Sequence, residues 1–307
     1  MRVVVTGASG FVGRHLLPVL RGAGHEVTAV SRTRISIHDV AWAKSPELGP
    51  QAEWRPVLEG ADAVVHLAAR AHVPSEVSGR DVEALYRRIN ADGTRAVARQ
   101  ASACGVRRFV LMSSCHAVAA ASDEIITSDS APRPVTAYGR SKLAAEGAVR
   151  EECTDGWTIL RPPLVYGPGN RANFERLLRL VRSGIPLPLA GVRNRRSFLH
   201  VANLAGAILA CLDSPESAGK IYLPSDEADV STPELIRCIA RSQGVEPRLF
   251  SVPAAMLSGI AGLPGGGALR KLCSSLFVNS EPIRRETAWR PVVGLEQGLA
   301  GLGAAAS

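Results

Sequence analysis

Short apolar runs alternate with amphipathic, helix-length segments along the first half of the 307-residue sequence, and a glycine-punctuated turn follows the first run directly. These two observations predict an α/β fold built on a parallel, doubly wound sheet of the Rossmann type. A third, the crowding of Pro162, Pro163, Pro168, Pro186 and Pro188 with Gly167, Gly169 and Gly184 after Arg161, predicts a smaller C-terminal α/β lobe of more irregular build.

The strand-like runs are Arg2 to Thr6, Glu26 to Val30, Ala63 to Leu67, Arg108 to Ser113 and Thr158 to Arg161. Each is continuously apolar rather than alternating, as strands buried on both faces are. Between them Phe11 to Arg21, Asp81 to Ala103 and Tyr138 to Glu152 carry Ala, Leu and Arg at helical spacing and supply the crossovers. Further on, Pro264-Gly265-Gly266-Gly267 reads as a break and Ala300 to Ser307 as a frayed tail.

The chain carries 36 Lys plus Arg against 28 Asp plus Glu, a net +8, and only four of the cations are lysines (Lys44, Lys142, Lys220, Lys271). Such a balance fits a nucleic-acid or membrane-surface binder, an enzyme whose arginines grip anionic substrates, or an arginine-rich surface with no partner. The arginines are dispersed and few aromatics stand among them as stacking platforms, so no nucleic-acid partner is expected. The six cysteines (Cys104, Cys115, Cys153, Cys211, Cys238, Cys273) form no CxxC pair and have no His at ligand spacing, which predicts reduced thiols, a cytoplasmic location and no metal. Met1 runs straight into Val3-Val4-Val5, and the longest apolar stretches, such as Val201 to Leu212, are too short to span a bilayer. No export signal and no membrane span are expected.

Thr6-Gly7-Ala8-Ser9-Gly10-Phe11-Val12-Gly13 follows the first strand and opens the first helix. Gly7 suits the tight turn, Gly10 lets a pyrophosphate approach the backbone at a helix N-terminus, and Gly13 permits close helix-to-strand packing. A dinucleotide site is therefore expected, on a binding unit at 1–162, with 163–307 as the substrate lobe and part of 195–225 returning to the first unit's sheet. The end of the second strand, where a carboxylate would receive the ribose hydroxyls of NAD, reads Ala29-Val30-Ser31-Arg32-Thr33-Arg34. Ser31 with Arg32 or Arg34 suits a 2′-phosphate instead, which favours NADP over NAD.

Tyr138 and Lys142 stand four apart on a predicted helix and share one face. A phenol is a poor base at neutral pH, but an ammonium beside it stabilises phenolate and brings the proton within reach of chemistry. A Tyr and a Lys at this spacing mean little alone. Their order after a glycine cradle and a Ser113-Ser114 pair at the end of the fourth strand gives them weight.

Together, Thr6 to Gly13, His66-Leu67-Ala68-Ala69, Asn90 through Gly93-Thr94, Ser113-Ser114, Tyr138 with Lys142, Arg161 to Gly169, and Arg196 through His200-Val201 carry a family likeness. Over nearly its whole length the chain resembles an extended short-chain dehydrogenase/reductase of the nucleotide-sugar epimerase and dehydratase type. The resemblance implies that Tyr138 is the general acid or base, that Lys142 lowers its pKa and holds the nicotinamide ribose, and that a hydroxyl after the fourth strand bonds the reacting oxygen. A gapless reading from Phe109-Val110-Leu111 gives that role to Ser114; anchoring on Val118 gives it to Cys115. Ser114 is preferred because a hydroxyl donates more strongly than a thiol. Ala119 and Ala120 replace the aromatic and glycine usual in the family, and His116 is read as a bystander. Cofactor contacts are expected from Gly7, Ser9, Gly10, Phe11, Val12, Gly13, Ser31, Arg32, Leu67, Ala68, Ala69, Asn90, Tyr138, Lys142 and Pro163.

By the same resemblance, Ser114, Cys115, Asn173 and Arg196 face a UDP-sugar, the last two at its diphosphate, and Pro186-Leu187-Pro188-Leu189 forms a strand along the uracil. Arg193, Arg195 and Arg196 make the most informative basic cluster, since arginine can clamp a diphosphate bidentately. The likeness extends to bacterial enzymes acting at carbon 4 of UDP-N-acetylhexosamines and their 6-deoxy-4-keto forms, for polysaccharide synthesis. Reduction of the 4-keto sugar is the expected reaction; the alternative is a 4-epimerase with retained NAD, and a cofactor-sensing protein without turnover is the reading of another class. A dehydratase is not expected, because Cys115 and His116 stand where those relatives carry an Asp-Glu pair. The resemblance also implies a homodimer formed through two helices, one of them containing Tyr138.

Overall fold

The computed structural model of the chain describes residues 1–71, 80–170, 173–253, 255–257, 259 and 267–304. Its strands are β1 (Arg2–Thr6), β2 (Glu26–Ser31), β3 (Val40–Lys44), β4 (Ala63–His66), β5 (Arg108–Met112), β6 (Trp157–Leu160), β7 (Leu164–Tyr166), β8 (Phe198–His200) and β9 (Lys220–Tyr222). The helices are α1 (Phe11–Gly22), α2 (Arg55–Leu58), α3 (Arg80–Tyr86), α4 (Gly93–Ala103), α5 (Ala137–Glu152), α6 (Asn173–Arg182), α7 (Val201–Asp213), α8 (Thr232–Ser242), α9 (Gly267–Cys273), α10 (Glu281–Glu286) and α11 (Leu295–Ala304). A π-helical turn, Arg87–Asp92, joins α3 to α4.

Seven strands form one parallel sheet in the order β3-β2-β1-β4-β5-β6-β9, and β7 and β8 form a separate parallel pair. The chain winds outward in both directions from β1, so the C-terminal ends of β1 and β4 flank the switch point where such sheets bind ligands. The period of two along each strand builds two cores. Val3, Val5 and Val65 pack with Leu16, Leu17 and Leu20 of α1 and with Leu204 and Ile208 of α7. Val4, Val64 and Phe109 face the other way, onto Val97 of α4 and Ala145 and Val149 of α5.

A third core, around Tyr166, Phe174, Phe198, Ile236 and Leu299, belongs to the C-terminal half. Its polar keystone is Asp226, 3% exposed. Asp226 accepts the Tyr166 hydroxyl at 3.0 Å, the Asn203 amide at 2.6 Å and the His200 N–H at 3.0 Å. Burial raises its pKa against the pull of those donors.

Four features differ from the sequence expectation. β3 was not foreseen, because as an edge strand it is half buried and lacks a continuous apolar run. The helix expected over 81–103 is interrupted by the π-helical turn. Pro186 to Leu189 makes no strand: Leu187 alone bridges Leu249, through two backbone bonds to Arg248 and Phe250. Residues 300–304 are helical rather than frayed, because Leu295, Leu299 and Leu302 share an apolar face that packs on the third core. Of the expected break, Gly267 opens α9 while 264–266 lie outside the described residues, as do 305–307.

Candidate active site

The turn after β1 is fixed by close approach. Gly7 has φ +69°, and a Cβ there would lie 2.7 Å from the Ala68 nitrogen; one on Gly13 would run into the Ala8 carbonyl oxygen. Gly10 is the N-cap of α1, which has no side-chain cap and no acidic residue in its first turn. The N–H groups of Phe11, Val12 and Gly13 and the positive end of the helix dipole are thereby left to an anion. Ser9 is half buried, its carbonyl accepting from Arg14 Nε at 2.9 Å.

A directed chain of hydrogen bonds holds the facing loop. The Thr94 hydroxyl spends its proton on the Asn90 carbonyl at 2.6 Å, so His66 Nε2, 3.1 Å away, is the protonated ring nitrogen. His66 Nδ1 then accepts the Thr6 hydroxyl at 2.7 Å, and Thr6 Oγ1 accepts the Ala68 N–H at 3.2 Å. Burial, helped by the nearby Lys142 charge, pulls the His66 pKa down to about 3, so the ring is neutral. Leu67, Ala68 and Ala69 are thus clamped against Gly7. Asn90 spends its amide on protein groups: Oδ1 accepts the Arg70 N–H at 2.7 Å, and Nδ2 donates to the Arg70 carbonyl and to Ser141 Oγ, both at 3.0 Å. It joins the β4 loop to α5.

At the end of β2, Ser31 is buried; its hydroxyl donates to the Thr33 carbonyl at 2.7 Å and accepts the Trp42 indole N–H at 3.0 Å. Its proton is therefore spent within its own loop. Arg32 is exposed, and Arg34 lies over the Trp42 ring at 5.9 Å.

Tyr138 and Lys142 sit one turn apart on α5, whose N-cap Thr136 accepts the Gly139 N–H. The ammonium is 6.0 Å from the phenol ring centre and donates to the Met112 carbonyl at 2.8 Å. Burial draws Lys142 down to about 8 while the Glu146 carboxylate opposes it, so it stays charged at neutral pH. Tyr138 moves against the expectation of a lowered pKa: burial first, then Cys115 and Tyr86, push it up to about 12, and a hydrogen bond with Ser114 opposes the rise. The phenol is therefore protonated at neutral pH. Ser114 also accepts the His116 N–H at 3.2 Å, and its side chain hydrogen-bonds with Cys115 as well as with Tyr138. Cys115 is buried, its thiol pushed up to about 12, and its N–H is held by the Pro162 carbonyl at 3.0 Å, beside buried Pro163.

Arg196 is half buried with its charge near both Cys115 and His116, and Nη1 donates to the carbonyls of Lys271 at 2.6 Å and Ser274 at 3.0 Å. Arg195 turns instead to Asp229 at 2.9 Å and to the Phe277 ring, and Arg193 is exposed. Asn173 opens α6, but its side chain lies outside what is described. The His116 ring lies 6.4 Å from that of Tyr138. Sequence reasoning gave no role to Glu146, which pairs with Arg161 behind Lys142; the i, i+4 series 138, 142, 146 was its visible signal.

Residues 3–223 match the NAD dependent epimerase/dehydratase family. The chain belongs to this family. A Vibrio cholerae relative named UDP-glucose 4-epimerase is 32% identical over 306 residues, 97% of this chain and 93% of that protein. A Caulobacter vibrioides relative named ceramide reductase is 31% identical over 281 residues, 89% of this chain and 78% of that one. Among solved structures, MoeE5 in complex with UDP-glucuronic acid and NAD superposes with a TM-score of 0.78 at 26% identity, covering 100% of this chain and 99% of its own. UDP-glucuronic acid 4-epimerase from Bacillus cereus, at 18% identity and a TM-score of 0.79, covers 99% of this chain and 98% of its own and shares the fold.

As an epimerase/dehydratase family member the chain implies a nicotinamide dinucleotide, and its residues fit one. The turn at Gly7, Gly10 and Gly13 is bare of side chains, and the α1 N-terminus is uncapped. Among the described residues, no three His, Cys, Asp or Glu gather where they could hold a metal ion, and no helix is long and apolar enough to cross a membrane.

Proposed function

We propose that this family member is an NAD(P)-dependent oxidoreductase acting at carbon 4 of a UDP-sugar, and that it reduces a UDP-4-keto-6-deoxy-N-acetylhexosamine for polysaccharide synthesis. The observation that carries the reading is the meeting of the Ser114 and Tyr138 hydroxyls beside the Lys142 ammonium, where Asn90 ties α5 to the loop after β4. Tyr138 is a neutral phenol at pH 7, the form that gives a proton to a carbonyl oxygen as hydride reaches its carbon. Ser114 donates to the same oxygen and stabilises its growing charge. Lys142 provides the positive field in which the phenolate left behind is tolerated. The bound dinucleotide supplies the hydride.

Gly7, Gly10 and Gly13 would take the pyrophosphate with the N–H groups of Phe11, Val12 and Gly13. Arg32, exposed where a ribose-binding carboxylate would stand, supports NADP over NAD. Arg196 is placed in the proposal against the sugar diphosphate and Cys115 against the sugar, with Asn173 beside the diphosphate. The enzyme would work in the cytoplasm as a homodimer paired through α4 and α5, whose outer groove is lined by Asp92, Arg95, Arg140 and Ala144.

A second reading, 4-epimerisation with retained NAD, is favoured by the near full-length likeness to the protein named UDP-glucose 4-epimerase. The test follows absorbance at 340 nm with NADPH and the 4-keto-6-deoxy UDP-sugar. Oxidation that Tyr138→Phe abolishes supports the reductase; no oxidation by wild type sinks it. Interconversion of UDP-N-acetylglucosamine and UDP-N-acetylgalactosamine, or of UDP-glucose and UDP-galactose, without added cofactor establishes the epimerase.

A further inference from the structure

Glu146 lies one turn beyond Lys142 on α5, as Lys142 lies one turn beyond Tyr138, and it is fully buried. Its oxygens accept Arg161 Nε at 2.9 Å and Nη2 at 2.7 Å, and Oε1 also accepts the Ser113 hydroxyl at 2.5 Å. Arg161 is itself 2% exposed. As glue, a buried ion pair is a poor choice, because desolvating both ions costs about as much as their attraction returns, and packed apolar side chains do as well. What the carboxylate also touches supplies a reason for it. Ser113 precedes Ser114, and Arg161 precedes Pro162, whose carbonyl receives the Cys115 N–H. One carboxylate thus ties together the end of β5, the face of α5 and the end of β6, around the stem of Lys142. The groups facing that lysine are Tyr138 and Glu146 on α5, His66 on β4, the Met112 carbonyl on β5, and Arg161 after β6, behind Glu146. With His66 and Tyr138 neutral, Glu146 is the anion of this set.

We propose that Glu146 is a positioning residue of the acid–base site: with Arg161 as its anchor, its carboxylate holds the Ser113-Ser114 turn and stands as the anion one helical turn from Lys142. The proposal rests on the acid–base reading of Tyr138 and Lys142 and is independent of which sugar is turned over. Because the chain has four lysines, protein labelled with carbon-13 at the lysine ε position gives four methylene signals, that of Lys142 being the one lost in Lys142→Arg. Its titration is followed by NMR. Glu146→Gln keeps an acceptor for Ser113 but no charge, and should lower the Lys142 midpoint by about one unit or more; Glu146→Asp should restore most of the shift. Glu146→Gln/Arg161→Met strands no buried ion, should lower the midpoint in the same direction but by less because a cation leaves with the anion, and serves if the single variant does not fold. A wild-type midpoint in a folded Gln or double variant overturns the proposal and leaves the pair as fold glue. The titration needs no substrate: a shifted midpoint without turnover of any UDP-sugar faults the functional reading alone, and turnover with an unmoved midpoint faults this proposal alone.

Discussion

The Lys142 ammonium donates to the Met112 carbonyl at 2.8 Å, so the cation beside Tyr138 is aimed at the end of β5 and not at the phenol oxygen. In the proposed mechanism its influence on the phenol is that of a nearby field, present only while the lysine holds its proton. Turnover in the reductive direction should therefore be level below about pH 8 and fall as pH rises through the Lys142 pKa of about 8. Lys142→Met should lose roughly 100-fold or more at pH 7 and lose that alkaline limb as well. A pH–rate profile read at 340 nm checks both.

Gly13→Ala places a methyl against the Ala8 backbone, which no rotamer change can relieve. We expect α1 to be pushed off β1, with a stability loss of about 1–3 kcal/mol. Dinucleotide affinity should drop by about tenfold or more, as the first-turn amides lose their aim. Urea unfolding and NADPH fluorescence titration measure the two effects separately.

Arg32 should act on cofactor choice and little else. Arg32→Glu is expected to lower NADPH affinity by about tenfold while leaving NADH affinity level or improved, because only the 2′-phosphate needs the cation. Equal losses for both cofactors would remove Arg32 from the phosphate site.

His66 makes stability depend on acid. Its folded pKa of about 3 lies below the unfolded value of 6.5, so between them the unfolded chain binds the extra proton. Stability from the neutral ring is complete above about pH 6.5 and is lost as pH falls toward 3. Urea midpoints should decline over that window in wild type and decline less in His66→Gln.

Asp226→Ala removes the acceptor shared by Tyr166, Asn203 and the His200 N–H. Stranding these buried donors should cost about 3–5 kcal/mol, read by urea unfolding.

The elements that surround the cradle were legible because their signals are local: a continuous apolar run, a glycine triplet and a helical stripe lie within residues 2–22. β3 was not, since an edge strand has one side to bury and shows half the pattern. Tyr138 and Lys142 could be read from their spacing, whereas the partners of Glu146 come from two other strand ends, and no periodicity brings Ser113 and Arg161 to one carboxylate. Asn90 was visible as a residue but not as a brace, because its bonds to Arg70 and Ser141 depend on the π-helical turn that carries it. Around Tyr138, likewise, spacing reveals a neighbouring cation but not the burial that raises the phenol pKa.

β9 closes the main sheet on β6, although α6, β7, β8 and α7 come before it in the chain. During synthesis, the sheet's last strand emerges only after β7, α6 and β8, the first segments of the third core. A nascent or truncated chain ending near residue 162 would leave β6 as an open edge with unpaired backbone, ready to recruit a strand from another molecule. Fragments cut near residue 162 are thus expected to aggregate, and a split version of the protein should be divided beyond residue 222 instead.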